Sequence, residues 1–208
     1  MEIIPVLIAW PALAAVLMPL VSDRKARGVI AYVAAGGMMA LALAVFGGWL
    51  AAGGQTVALY PQSTATEYVD LAMLCGEFVL MALIIALSIR HRKYPVILLS
   101  AGQTLLVAWS EIAHPVEQST HMRLDGLAML LCIIAAFVGG FICIYAVGYM
   151  KAYHAHHTEY KDRSGFFFSM LFLFLAAMFG LVLSENLVWM YFFWEVTSVV
   201  SFLLIGYT

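Results

Sequence analysis

Charged residues are scarce in this sequence. Only 11% of the 208 residues are Asp, Glu, Lys or Arg, whereas soluble domains average about 25%. Hydrophobic residues make up 64% of the chain. These few charges cannot cover the surface of a soluble globular domain, so the sequence predicts an integral membrane protein. The ten basic and twelve acidic residues offer no basic surface for phosphate, which excludes a nucleic-acid-binding protein.

Residues that hold redox cofactors or metals are also rare. The three cysteines, Cys75, Cys132 and Cys143, form no CxxC pair and lie in apolar runs, which argues against a disulfide framework or a zinc site. The chain has no dinucleotide-binding glycine motif, no phosphate-binding loop and no cysteine run typical of iron–sulfur proteins. We therefore expect no cofactor, metal or catalytic redox site in this chain, and an enzyme acting by itself is the poorest interpretation.

Seven apolar runs are long enough to cross a membrane as helices, which takes about 20 residues for roughly 30 Å of hydrocarbon. Runs of this length and uniformity do not fit the alternating strands of a β-barrel. The sequence predicts an all-α integral membrane protein, a single domain with a bundle of about seven transmembrane helices. The predicted spans are residues 3–21, 29–52, 71–89, 94–113, 126–150, 166–184 and 187–207.

Lys and Arg are distributed unevenly among the connections between these spans. In chain order, the six connections hold three, zero, three, one, three and zero of them. Because cytoplasmic loops carry an excess of Lys and Arg, the alternation predicts an outer N-terminus and an inner C-terminus. We expect a multi-pass protein of a prokaryotic cell (inner) membrane. The most polar connection, within 53–70, is expected to be a loop or a short external hairpin.

Glu195 is the acid nearest the predicted midplane of the membrane. Tyr191 and Ser198 lie one helical turn from it on the same face, and both hydroxyls can donate a hydrogen bond to a carboxylate. No Lys, Arg or His lies within reach on that helix. Burial in hydrocarbon disfavours the charged form of a lone carboxyl. The residues alone leave two interpretations open, a proton carrier or a permanently neutral structural glutamate.

Other polar residues at membrane depth are weaker candidates. Glu77 lies about a third of the way into its span, where helix tilt can bring it to the headgroups. Glu111 lies at the end of its span, where snorkelling explains it. Gln103 and Thr104 lie mid-span and are expected to form helix–helix hydrogen bonds rather than an ion path.

A histidine-rich segment follows the fifth predicted span. His154, His156 and His157 lie there among Lys and Arg residues. Their spacing matches no metal-ligand pattern, so we expect a loop in contact with solvent or lipid headgroups rather than a metal site.

Four short motifs in the last third of the chain indicate a family. They are Asp125-Gly126-Leu127, Glu185-Asn186-Leu187, Trp194-Glu195 and Leu203-Leu204-Ile205-Gly206, with Ser198 and Ser201 between the last two. This region resembles the antiporter-like membrane subunits of respiratory complex I, most of all the L-type subunit. It is equally similar to their relatives in membrane-bound hydrogenases, formate hydrogenlyases and Mrp-type cation/proton antiporters. The resemblance covers residues 123–208 well and the first two spans loosely.

The resemblance implies a subunit that translocates protons or Na⁺. In that family the glutamate of the Trp-Glu pair is a key residue of the proton channel, a role that falls here on Glu195, with Tyr191 and Ser198 in support. Glu77 and Asp125 are weaker candidates for proton translocation. The implied partners are other membrane subunits of a multi-subunit complex and peripheral redox subunits. Iron–sulfur clusters and a flavin or NiFe centre are expected only in those partners.

Two departures from the family pattern bear on this interpretation. Family members have two spans before the Asp-Gly-Leu helix and this chain has four, so residues 71–113 are interpreted as an inserted helix pair. Family members also continue into helices that bear lysines, and no Lys or Arg lies mid-membrane here to pair with Glu195. We expect another chain to supply the lysine-bearing helices. This chain is accordingly interpreted as the N-terminal part of a split antiporter-like subunit, with a truncated product or a structural part as alternatives.

The sequence therefore supports one leading hypothesis and two alternatives. The leading hypothesis is a non-redox, ion-translocating subunit of a redox-driven complex, either complex I-like or of the membrane-bound hydrogenase type. The alternatives are a scaffold subunit that moves no ions and part of a stand-alone Mrp-type cation/proton antiporter. The translocated ion, the electron donor and the electron acceptor stay open.

Overall fold

The computed structural model describes residues 3–61, 64–90, 92, 94–113, 120–156 and 162–207. It is 84% helical, with seven α-helices and one two-stranded sheet in the described ranges, which confirms the predicted fold class. The elements are α1 (Val6–Leu17), α2 (Arg24–Ala51), β1 (Val57–Pro61), α3 (Thr64–Arg90), α4 (Tyr94–Ala113), β2 (Thr120–Leu124), α5 (Gly126–His156), α6 (Ser164–Leu183) and α7 (Leu187–Ile205).

Five of these helices, α2, α3, α5, α6 and α7, are long and apolar enough to cross a membrane. The helix α4 has the bounds of its predicted span. The helix α1 is shorter than predicted, because its last turn tightens into a 3₁₀ turn at Met18–Leu20, where Pro19 has no backbone N–H to donate. The helix α2 begins five residues before its predicted span, because Asp23 caps it and accepts a hydrogen bond from the Ala26 N–H at 2.9 Å.

Four helices, α1, α2, α5 and α6, pack together around the main apolar core. Phe172 and Phe179 of α6 are fully buried there, together with Leu7 of α1 and Met38 of α2. The remaining helices add to one side of this core, with α7 against α6, α3 against α7 and α4 against α3. The helix that carries Glu195 is therefore held between the core and the α3–α4 pair.

The strands β1 and β2 are antiparallel, with Val57 opposite Leu124 and Pro61 opposite Thr120. The predicted loop or local hairpin within 53–70 is thus replaced by a strand whose partner lies more than 50 residues further along the chain. The α3–α4 pair lies in sequence between these two strands. Its entry and exit therefore meet at one edge of the molecule. The interpretation of residues 71–113 as an inserted helix pair stays a prediction.

A glycine allows close contact between α6 and α7. A Cβ at Gly180 would lie 2.5 Å from the ring of Phe193, which is 9% exposed and cannot move aside easily. Gly36 of α2 provides a matched comparison, because a Cβ there would meet nothing within 4 Å.

Gly180→Ala is expected to destabilise the protein by about 1–3 kcal/mol, because overpacking forces the two helices apart. Gly36→Ala is expected to change stability by less than about 1 kcal/mol, because the helix accepts alanine readily. Thermal unfolding of both variants in the same detergent checks this. Equal midpoints for the two variants would contradict the packing described here.

Candidate functional site

Glu195 lies on α7 facing α3 and α4, and its side chain is buried, with the residue 7% exposed. The Tyr191 hydroxyl, one turn earlier on α7, donates a hydrogen bond to Glu195 Oε1 at 2.8 Å. The Gln103 amide Nε2 of α4 donates to the same oxygen at 2.6 Å. The other carboxyl oxygen, Oε2, is buried and has no hydrogen-bond partner among the described residues.

A cavity of about 240 Å³ adjoins Glu195 between α3, α4 and α7. Its polar lining comes from Ser100, Gln103, Tyr191, Glu195 and Ser198, and the rest is apolar. A cavity of this size with several polar groups has room for more than one water molecule. Glu195 lines this cavity, and Oε2 of the same carboxyl has no hydrogen-bond partner among the described residues.

The hydrogen bonds around Glu195 fit a carboxyl that can hold a proton. Two donors converge on Oε1, which uses both lone pairs of a carbonyl oxygen. The proton of a neutral carboxyl then belongs on Oε2. In the described part of the chain no Lys or Arg forms an ion pair with Glu195. The arrangement therefore suits a neutral carboxyl in a largely apolar setting next to a cavity.

The two hydroxyls predicted to support Glu195 have different roles. Tyr191 makes the predicted hydrogen bond. Ser198 does not, because its hydroxyl donates to the Trp194 carbonyl at 3.1 Å, as serine hydroxyls in helices often do four residues back. Ser198 contributes to the cavity wall instead. Gln103 does form the helix–helix hydrogen bond predicted for it, and its partner is the candidate proton carrier itself.

The two weaker candidates for proton translocation, Glu77 and Asp125, lie in different surroundings. Glu77 of α3 is 3% exposed, so it lies inside the protein rather than among headgroups. It lies on α3, the helix that packs against α7, which carries Glu195. Asp125 lies away from this site and caps α5, where its carboxylate accepts from the Ala128 N–H at 2.8 Å. The side chains of Glu111 and Thr104 lie outside the described residues.

The histidine-rich segment begins within the last turns of α5. His154 is buried, and its Nδ1 lies 2.9 Å from the Met150 carbonyl oxygen, to which it donates. His154 Nε2 lies 3.4 Å from Asp162. His157 lies outside the described residues. Among those that are described, no three His, Cys, Asp or Glu side chains are grouped as metal ligands.

Asp162 ties together the connections that carry most of the basic residues. It accepts hydrogen bonds from Arg24 Nε at 2.6 Å and from the Ser164 N–H at 2.9 Å, and Arg27 lies 3.8 Å away. Burial raises the pKa of this carboxyl, but the hydrogen bonds from Ser164 and Arg24 lower it by more, so its net pKa lies below the ordinary value. This cluster joins α2 to the start of α6.

Comparison with known proteins bears on these observations. Residues 109–160, which run from the end of α4 past the end of α5, match the family model described as NADH-ubiquinone oxidoreductase (complex I), chain 5 N-terminus. The chain is 34% identical over 107 residues to a protein named Na⁺/H⁺ antiporter subunit A1 from Staphylococcus haemolyticus. It is 38% identical over 107 residues to the protein of the same name from Staphylococcus aureus. These matches support the predicted resemblance to the antiporter-like complex I/Mrp superfamily.

The matched region is a small part of each relative. The aligned region covers 51% of this chain but only 12% of each relative, so the chain spans a small part of the length of the curated relatives it matches. Glu195 lies outside residues 109–160. Together with five helices long and apolar enough to cross a membrane, these matches support a multi-pass protein of the cell membrane. The predicted orientation of its termini stays a prediction.

Proposed function

We propose that this chain is an ion-translocating membrane subunit in which Glu195 carries the proton. The observation that carries the proposal is the arrangement of the buried carboxyl. One of its oxygens accepts from Tyr191 and Gln103, and the other is unpartnered among the described residues in a carboxyl that borders a 240 Å³ cavity. An ionisable group at membrane depth is costly, and it is retained where it serves an ion path.

The fixed donors and the open oxygen have separate roles in this proposal. Tyr191 and Gln103 hold Oε1 in place whether the carboxyl is neutral or charged, and they stabilise the negative charge when the proton leaves. The proton leaves from Oε2 into the cavity and returns by the same route. Because the rest of the surroundings is apolar, a change of charge or hydration next to the cavity shifts the proton occupancy of Glu195.

The proposal requires partner subunits. A proton that leaves Glu195 needs an acceptor, and the superfamily resemblance implies a lysine on a neighbouring helix. We infer that this lysine belongs to a part of the assembly beyond these seven helices. Coupling between the two groups would then set the proton occupancy of both. The match to a complex I family model favours a redox-driven assembly whose cofactors lie in other subunits.

A second candidate rests on the names of the relatives. Both relatives described above are named subunits of Na⁺/H⁺ antiporters. In that case the Na⁺ gradient, rather than electron transfer, drives the proton through Glu195. Proton uptake that needs a reductant favours the redox-driven assembly, and uptake that responds to Na⁺ in the absence of a reductant favours the antiporter.

Proton uptake into sealed membrane vesicles tests the proposal. Vesicles are prepared from cells that carry either the wild-type chain or Glu195→Gln in the intact assembly. Uptake is measured with a reductant and, separately, with an imposed Na⁺ gradient. The proposal expects uptake to be lost in the variant under whichever condition drives the wild type. Full uptake by the variant, with assembly failing only when whole helices are deleted, would indicate the scaffold subunit instead.

A further inference from the structure

Two titratable side chains, His121 and Asp70, lie next to each other where β1 and β2 meet α3 and α7. His121 of β2 is almost completely buried, with 3% of its side chain exposed, and its Nε2 lies 3.1 Å from Asp70 Oδ2 near the start of α3. Trp189 of α7 donates from its indole Nε1 to the other carboxylate oxygen, Asp70 Oδ1, at 2.5 Å. The side chain of Asp70 is 35% exposed, so this carboxylate also reaches solution.

The hydrogen bonds of His121 show that this pair holds a proton. The Nδ1 atom lies 3.0 Å from the Tyr60 carbonyl oxygen, which can only accept, so Nδ1 carries a hydrogen. The Nε2 atom faces a carboxylate oxygen. One proton must therefore lie between Nε2 and Oδ2, on the imidazole or on the carboxyl. Because the Asp70 side chain is 35% exposed, this proton can be exchanged with the solution.

Among the described residues, few other charged groups face His121. The strand β1 presents the Tyr60 carbonyl, α3 presents Asp70 and α7 presents Trp189. The connection from α6 to α7 presents the backbone N–H of Glu185, which donates to the His121 carbonyl at 3.0 Å. The Glu185 carboxylate is itself bound by Thr120 and Arg123. Asp70 is therefore the carboxylate that shares the His121 proton.

A line of polar groups leads from this pair to Glu195. Glu77 lies seven residues after Asp70, on the same face of α3 and about 10 Å further along the helix. The helices are close there, because a Cβ at Gly76 would lie 2.8 Å from the Phe192 ring of α7. Tyr191 directly precedes Phe192 on α7, and its hydroxyl donates to Glu195 at 2.8 Å.

We propose that Asp70 and His121 form the entry through which protons pass between the solution on the β1–β2 side and Glu195. A proton from solution binds Asp70, which exchanges it with His121 Nε2, and a proton then moves along the α3–α7 contact past Glu77 and Tyr191 to Glu195 Oε2. No bond other than those to the transferred proton is made or broken. This entry deepens the proposed function and rests on it, because it supplies protons to the same carboxyl.

The test measures how fast Glu195 takes up a proton from each side of the membrane. The intact assembly is placed in sealed vesicles of known orientation, and the pH is changed on one side. The infrared band of the Glu195 carboxyl is identified as the band that Glu195→Gln removes. Asp70→Asn and His121→Gln are expected to slow its appearance roughly tenfold or more when the pH changes on the β1–β2 side. A change on the opposite side should give the wild-type rate.

Three controls separate an entry from a structural role. Asp70→Asn keeps an oxygen that accepts from Trp189, so the fold is retained even if His121→Gln unfolds. Asp70→Glu restores the carboxyl and is expected to recover at least half of the rate. Glu67→Gln changes an exposed acid on the same helix and should leave the rate unchanged.

The outcomes distinguish this proposal from the proposed function. Wild-type rates in Asp70→Asn and His121→Gln from the β1–β2 side would overturn the entry, and so would equal slowing from both sides. Full ion translocation by Glu195→Gln would overturn the proposed function, whatever the infrared rates show.

Discussion

Glu195→Gln is expected to reduce ion translocation at least about 100-fold, to the level of membranes that lack the assembly. Glutamine has almost the same shape as glutamic acid. Its amide oxygen can accept from Tyr191 and Gln103 as Glu195 Oε1 does. It cannot release a proton, however, so the cavity loses the group that loads and unloads. The structure should stay intact while the transport function is lost.

Two further variants make this result specific. Glu195→Asp keeps a carboxyl but withdraws it by one methylene from Tyr191 and Gln103, so partial translocation is expected. Glu67→Gln removes an exposed acid of α3 and should leave translocation unchanged. Equal proton uptake by wild type and Glu195→Gln, at equal amounts of assembly in the membrane, would show that Glu195 is a structural carboxyl.

Asp162→Asn is expected to destabilise the protein by about 1–3 kcal/mol, because it leaves charged donors without their acceptor. Arg24 loses its 2.6 Å partner, and the partly buried Arg27 loses the nearby negative charge. Asparagine can still accept from Ser164. The effect is therefore expected to come from the charge. Unfolding of the purified protein in detergent, compared with wild type at pH 7, measures it.

The stability that Asp162 provides should depend on pH in a defined direction. Its pKa is lowered in the folded protein, so its contribution is fully present above the ordinary carboxyl value of 3.8 and is lost as pH falls through lower values. The difference in stability between wild type and Asp162→Asn should therefore stay constant from neutral pH to about 5 and shrink in stronger acid. A difference that instead grew in acid would contradict the charge-based account of this cluster.

Sequence alone predicts the parts of this structure that depend on local spacing. Long apolar runs predicted the helices, and the pairing of Glu195 with Tyr191 followed from the four-residue spacing on one helix face. The failure at Ser198 has a local cause as well, because a helical serine has a carbonyl of its own helix within reach. The correct partner on the other side, Gln103, is 92 residues away in the chain.

Contacts between distant segments could not be predicted in this way. The strands β1 and β2 are only five residues each, and β1 lies in a polar connection whose partner strand follows two helices. Asp70 is the residue directly before the predicted span 71–89. Nothing in the sequence around it indicates that His121 and Trp189 bind it. Such contacts depend on how α3 packs on α7, which a single sequence does not specify.

Because β1 pairs with β2, the α3–α4 pair could be removed without separating these two strands from the rest of the fold. A short turn between Pro61 and Thr120 would close the same ribbon and leave the contacts among α1, α2, α5 and α6 in place. Such a shortened chain would lose Asp70, Glu77 and Gln103 together and would expose Glu195 to lipid or to another subunit. In the chain as it stands, the α3–α4 pair therefore covers Glu195 and supplies its donor Gln103.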